Sequence, residues 1–256
     1  VTAAPLRENV APPLLCILVV AALWQTMATT IHSPLLPGLA EVGAAFAHIV
    51  VSGAFLPQIG ATLARVALGF ALAFVLAVAV GIPMGRSPRA RRFLEPAVLI
   101  GLTVPGLVWA LLCVIWFGVS LANPIVAVAL SAAPAIAITI AQGVRNVDAD
   151  LVEMAFIFRF APLARLQHLW LPALAPYLLS GARFGLSLAW KVIVLVEIFG
   201  MSSGVGYQLN SAFSSQNVAA VLAWTLAFGI VMAILEYGAL QALERRATRW
   251  RRTARV

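Results

Sequence analysis

Three ionisable side chains, Arg183, Lys191 and Glu197, stand inside one apolar stretch, residues 176–199. A charge in hydrocarbon costs about 2.5–3.5 kcal/mol on insertion scales, so such groups face a bundle interior or a water-filled cavity. Arg183, Ser187 and Lys191 recur every fourth residue and share a helix face that drifts only slowly; Trp190 borders it. One reading is that Ser187 and Lys191 face water and attract an anion. The other is structural: Arg183 reaches the membrane surface along its own alkyl stem, and Lys191 pairs with a carboxylate on a neighbouring helix. Glu197 lies elsewhere on the helix, close to its far end. Arg65 and Glu236 fall near the ends of other apolar stretches and read as interfacial anchors. His32, His48 and His168 are scattered without metal-ligand spacing, so no metal is expected. No Ser, His and Asp constellation suggests a nucleophile, and no catalytic residue is assigned. The run Ser202–Ser203–Gly204 through Gly206–Tyr207 reads as a turn, glycine supplying the positive φ that turns demand.

The elements that must carry these residues are membrane helices. The chain of 256 residues is 62% hydrophobic and 10% charged, with mean hydropathy +1.00. Soluble domains are about 45–50% apolar and ~25% charged, so this much apolar surface has no place in a soluble globule. Six spans fit, at 13–31, 60–84, 97–118, 121–143, 176–199 and 219–241, each near the ~20 residues a helix needs to cross. The connections 32–58, 119–120 and 200–218 contain no Lys or Arg. The opposite side carries Arg86, Arg89, Arg91 and Arg92, then Arg145, Arg159 and Arg165, then a tail rich in arginine. Basic residues stay in the cytoplasm, which predicts both termini there. The net charge of +8 therefore reflects topology and anionic lipid, not nucleic acid. Cys16 and Cys113 fall inside spans, which argues against a disulfide framework. The first ten residues do not read as a cleavable signal. The expected organisation is one all-α integral membrane domain over 1–256.

Residues 41–51 suit a short interfacial helix. Gly81 and Gly85 form a small-xxx-small pair that permits close helix approach. Between spans 4 and 5, "RNVDADLVEMAFIFRFAPLARLQHLWLPALAP" is too polar to span, yet Leu151, Met154, Ala155 and Phe158 recur at helical spacing. Asp148 or Asp150 suits the N-cap. Pro162 suits the opening turn of a second helix, with Leu163, Leu166, Leu169 and Trp170 on its apolar face and its end at Pro172. Such a pair either lies on headgroups or docks in a partner's groove; its intervening Arg and mixed polarity favour docking.

The stretch Glu153–Pro172 resembles the EAA loop of bacterial ATP-binding-cassette importer permeases. Glu153, Ala155, Leu171 and Pro172 match that pattern, Met154 replaces its first Ala, and Arg159 stands where the family has a Gly that permits a tight turn. "TLARVALGF" at Thr62–Phe70, "WFG" at Trp116–Gly118, "GVRNVDADLVEMA" at Gly143–Ala155, "GARFGLSLAWKVIVLVEIFGMSSGVGY" at Gly181–Tyr207 and "LERRATRW" at Leu243–Trp250 resemble the branch for nitrate, sulfonates, taurine and bicarbonate. The resemblance implies the type I importer permease fold, with six transmembrane helices and two short coupling helices in 148–172. It implies a multi-pass protein of the bacterial inner membrane, paired with a second copy of itself. Two ATPase subunits would bind ATP and Mg; this chain has no phosphate loop and no cofactor. A periplasmic or lipid-anchored binding protein would deliver a small nutrient, expected to be an anion such as a sulfonate or nitrate. Glu153, Met154, Ala155, Arg159, Leu171 and Pro172 would couple to the ATPase. Ser187, Trp190, Lys191 and Glu197 become candidates for the translocation path. The alternative is a secondary transporter or channel working without an ATPase. No paired broken helices in inverted repeats support it, and the coupling-like loop has no role there.

Overall fold

The computed structural model describes residues 11–240, all of whose regular elements are helical; the arginine tail, Arg245 to Arg255, and both termini lie outside them. The described chain forms two compact units, one of residues up to Leu56 with Leu209–Ala227, the other of Pro57–Gln208 with residues from Phe228 onward.

In the first unit, α1 (Ala11–Ile31) and α2 (Leu39–Val51) are joined by a short loop. Trp24 Nε1 donates to the Pro37 carbonyl at 3.0 Å, and Gln25 Oε1 accepts from the Leu39 N–H at 2.9 Å. Two side chains of α1 thereby set where α2 begins. The helix expected at 41–51 is present and starts two residues earlier. Around α1, Leu15, Ile17, Leu18 and Leu23 are exposed, as suits a helix apolar on all sides and facing lipid.

The second unit is built around α6 (Ala122–Arg145), which packs on α9 (Leu171–Gly200), α5 (Gly106–Phe117) and α4 (Pro88–Thr103). Lipid is as apolar as leucine, so burying apolar surface between helices gains little there, and close van der Waals packing must hold them. The composition of α6 fits: Ala127, Ala132, Ile136 and Ile140 are wholly buried. On α3 (Phe55–Arg86), a Cβ at Gly81 would come within 2.7 Å of the Ala137 carbonyl, and one at Gly85 would collide with Val144. The Gly81 and Gly85 pair thus admits α6 to direct backbone contact.

Among the described residues four helices are long and apolar enough to cross a membrane: Leu14–Ile31, α3, α6 and Val218–Glu236, the last containing α11 (Val218–Ala233). Two broken pairs raise the number to six if each crosses as one span. One is α4 with α5, bent by 95°, where a single span at 97–118 was expected. The cause is Pro105. It forces Val104 out of the helical region (φ −68°, ψ 121°), as a residue before proline must be. The other joins Pro162–Gly200 to α10 (Val205–Ser214) across residues 201–204.

Candidate functional site

The loop after α6 opens on Asp148, whose side chain accepts from the Asp150 N–H at 2.9 Å and caps α7 (Ala149–Ile157). Ala155 is buried at 2% exposure while Glu153 and Met154 face outward. The helix ends in a Schellman turn. Phe160 N–H reaches the Ala155 carbonyl at 3.1 Å, and Arg159 N–H reaches that of Phe156 at 3.0 Å. This motif needs a left-handed residue at the first position past the cap. Arg159 supplies it with φ 49°, where glycine would carry no steric cost. The turn therefore survives the replacement of glycine.

The second helix of the loop begins at α8 (Pro162–Arg165) but does not end at Pro172. A π-helical segment, Leu166–Trp170, carries it into α9. Pro172 has no N–H to give and its ring crowds the preceding turn. The wider π turn, with Leu171 N–H bonding the Leu166 carbonyl, lets the helix pass the proline. Leu171 and Pro172 accordingly sit in the first turn of α9. Two cation–π contacts tie the loop down: Arg165 lies 4.6 Å from the Phe156 ring centre and Arg86 5.4 Å from that of Trp170. Glu153 borders a cavity of about 700 Å³ with Arg86, Arg145, Phe156 and Trp170. Phe156, Ile157 and Phe158 protrude at 63%, 70% and 68% exposure, a run of apolar surface of the kind that marks an interaction site.

On α9, Lys191 is exposed, with Ser187 and Trp190 half-buried beside it. Trp190 meets Phe228 edge to face at 6.3 Å. The carboxylate on a neighbouring helix belongs to Arg183, whose Nε donates to Glu236 Oε1 at 3.2 Å. Lys191 makes no ion pair among the described residues. Arg183 and Glu236 share a cavity of about 350 Å³ with Ser180, Phe184 and Ser187. Glu236, expected as an interfacial anchor, also joins two helices.

Arg65, also expected as an interfacial anchor, is turned inward instead. It is 7% exposed, and its Nη1 lies 2.7 Å from Oε1 of Glu197. Glu197, grouped with Ser187, Trp190 and Lys191 on sequence, is wholly buried. Its carboxylate also accepts from the Thr62 hydroxyl at 2.9 Å and from the Gly206 N–H at 3.0 Å. Gly204 has φ 105°, the positive value expected of the turn. Gly206 serves close approach instead, since a Cβ there would lie 2.6 Å from that of Glu197. The sequence reading missed Gln58 and Thr62. Their signal was present: Gln58, Thr62 and Arg65 fall at i, i+4 and i+7, a polar stripe along one face of an apolar helix. Among the described residues no group of His, Cys, Asp and Glu is placed to hold a metal.

The family described as binding-protein-dependent transport system inner membrane component matches residues 69–249. The chain is 32% identical to the putative aliphatic sulfonates transport permease protein SsuC of Bacillus subtilis (strain 168), over 91% of this chain and 85% of that protein. It is 31% identical to the taurine transport system permease protein TauC of Escherichia coli (strain K12), over 96% and 92%. It is 30% identical to the nitrate import permease protein NrtB of Leptolyngbya laminosa, over 70% and 64%.

Proposed function

Because the chain belongs to the family of binding-protein-dependent transport system inner membrane components, we propose that it forms the translocation path of an ATP-driven importer for a small anionic nutrient, of sulfonate or nitrate type. As a permease of this family it is a non-catalytic transport subunit. Two copies pair around the path, two ATPase subunits bind and hydrolyse ATP on the cytoplasmic side, and a binding protein delivers substrate to the Lys- and Arg-free side. Each of six spans crosses once, with α4–α5 and α9–α10 as broken spans, and both termini lie in the cytoplasm. The protruding Phe156, Ile157 and Phe158, with Glu153, Met154 and Arg159 beside them, seat in the ATPase. ATP-driven closure of the ATPase pair pushes on this loop. Because α8 runs into α9 without an end, the push enters span 5 directly, and Leu171 and Pro172 transmit it.

The observation that carries the anion reading is Lys191. It is exposed on a span, one turn from Ser187, without an ion-pair partner among the described residues. An ammonium in that position needs a counter-charge or water, and a transported anion is a passing counter-charge. Ser187 and Trp190 complete that face; Glu197, neutralised by Arg65, stays out of it. The test is Lys191→Met in the assembled complex. Uptake of an anionic substrate should fall while expression and ATPase association stay normal, and Lys191→Arg, which keeps the charge in a wider, planar group, should retain part of it. A Lys191→Met complex that assembles and transports at the wild-type rate removes Lys191 from the path.

A further inference from the structure

The break between α9 and α10 leaves backbone groups that no helix satisfies, and inside a membrane no bulk water replaces the missing partners. Here four of them are met by side chains. The Ser203 carbonyl accepts from Arg65 Nη1 at 2.7 Å, and the Ser203 hydroxyl oxygen accepts from Nη2 at 2.6 Å. Gly204 N–H donates to Gln58 Oε1 at 2.6 Å, Val205 N–H to Thr62 Oγ1 at 2.9 Å, and Gly206 N–H to Glu197 Oε2 at 3.0 Å. Three successive donors at the start of α10 are thus capped by side chains of α3 and α9, not by the turn itself. The Arg65 and Glu197 ion pair closes the set. A wholly buried carboxylate with this many donors cannot part from one of them without leaving a charge or an amide unpaired in a dry site.

We propose that Gln58, Thr62, Arg65 and Glu197 are positioning residues that fix the 203–206 turn on α3, so that α3, the outer end of α9 and the turn travel as one body through the transport cycle. The change of access then happens at other helix contacts. The Arg183 and Glu236 pair is of the opposite kind: its Nε–Oε1 contact is longer, at 3.2 Å, and its side chains are 43% and 40% exposed, so water can take over either group when it opens. This proposal rests on the chain being an importer permease and not on the substrate being an anion.

The test uses the whole complex in lipid nanodiscs. Spin labels replace Gly60 and Tyr207, both exposed, in a background lacking Cys16 and Cys113, and labelled chains are diluted with unlabelled ones. The distance within one chain should be the same without nucleotide and with ATP and vanadate trapped. A shift of about one helical turn, ~5.4 Å, overturns the proposal. A second arm separates positioning from folding. Glu197→Gln leaves Arg65 unbalanced and should impair assembly, whereas Arg65→Met with Glu197→Met removes both charges together, an exchange that buried pairs commonly tolerate. The double variant should assemble, yet show a broadened label distance and uptake reduced roughly tenfold, a size typical of coupling between sites. Wild-type uptake by the double variant would show that the pair serves folding alone and would also overturn the proposal.

Discussion

At the residue scale, the clearest consequences sit at two turns. Arg159 holds a left-handed conformation, φ 49°, which costs a side-chain-bearing residue about 1–2 kcal/mol. Arg159→Gly should therefore raise thermal stability slightly and leave coupled ATP hydrolysis intact. Arg159→Val, a β-branched residue at positive φ, should lose both. If Arg159→Gly instead abolished coupling, the guanidinium itself, and not the turn, would be what the ATPase needs. At Gly206 the constraint is space. The nearest heavy atoms to an added Cβ are the Val194 carbonyl and the Glu197 Cβ, so Gly206→Ala should destabilise by about 1–3 kcal/mol, the usual size of core overpacking. Denaturation of the purified complex checks this; an unchanged midpoint would mean that the turn relaxes freely. The positive φ at Gly204 was legible from glycine in a Ser- and Gly-rich run. The role of Gly206 was not, because a close approach depends on which groups of α9 meet the start of α10.

At the scale of elements, the loop over 148–172 shows what sequence can and cannot carry. Asp148 as one of two cap candidates and Pro162 as a helix start were legible, because each follows from local chemistry that the preceding and following few residues decide; which member of the apolar set Leu151, Met154, Ala155 and Phe158 faces inward was not, and only Ala155 is buried. The join between α8 and α9 was not. Pro172 is a helix stop by local rules, and only the π-helical widening at Leu166–Trp170 overrides it. The 95° bend at Pro105 was hidden likewise: a proline and glycine in an apolar run are compatible with either a kinked or a broken span. The polar stripe Gln58, Thr62, Arg65 was visible as a pattern, but its target was not, since the 203–206 turn is distant in sequence. A prediction belongs at this scale. Glu153 stands on the exposed side of α7, and under the proposed function its charge meets basic groups of the ATPase. Glu153→Lys should leave the permease inserted but cut substrate-stimulated ATP hydrolysis or release the ATPase subunit. Normal stimulated hydrolysis in that variant would remove Glu153 from the coupling surface.

At the scale of the whole molecule, the distribution of arginine sets the expected topology. If six spans cross in order, the connections without Lys or Arg all fall on one side, and basic residues are retained in the cytoplasm. A cysteine replacing Ser214 should be labelled from outside the cell by an impermeant reagent, and one replacing Ser87 only after the membrane is opened; labelling of Ser214 from the cytoplasm alone would invert the arrangement. The remaining question is what drives transport, and it separates an ATP-powered permease from a secondary transporter. The most direct measurement is uptake into proteoliposomes that hold this chain with or without its ATPase subunit, with the binding protein outside and taurine, an alkanesulfonate and nitrate as labelled probes. An ATP-driven importer predicts uptake of at least one probe only when the ATPase subunit and internal ATP are both present, and none with an ion gradient alone. Uptake that persists without the ATPase subunit, driven by an ion gradient, would contradict it.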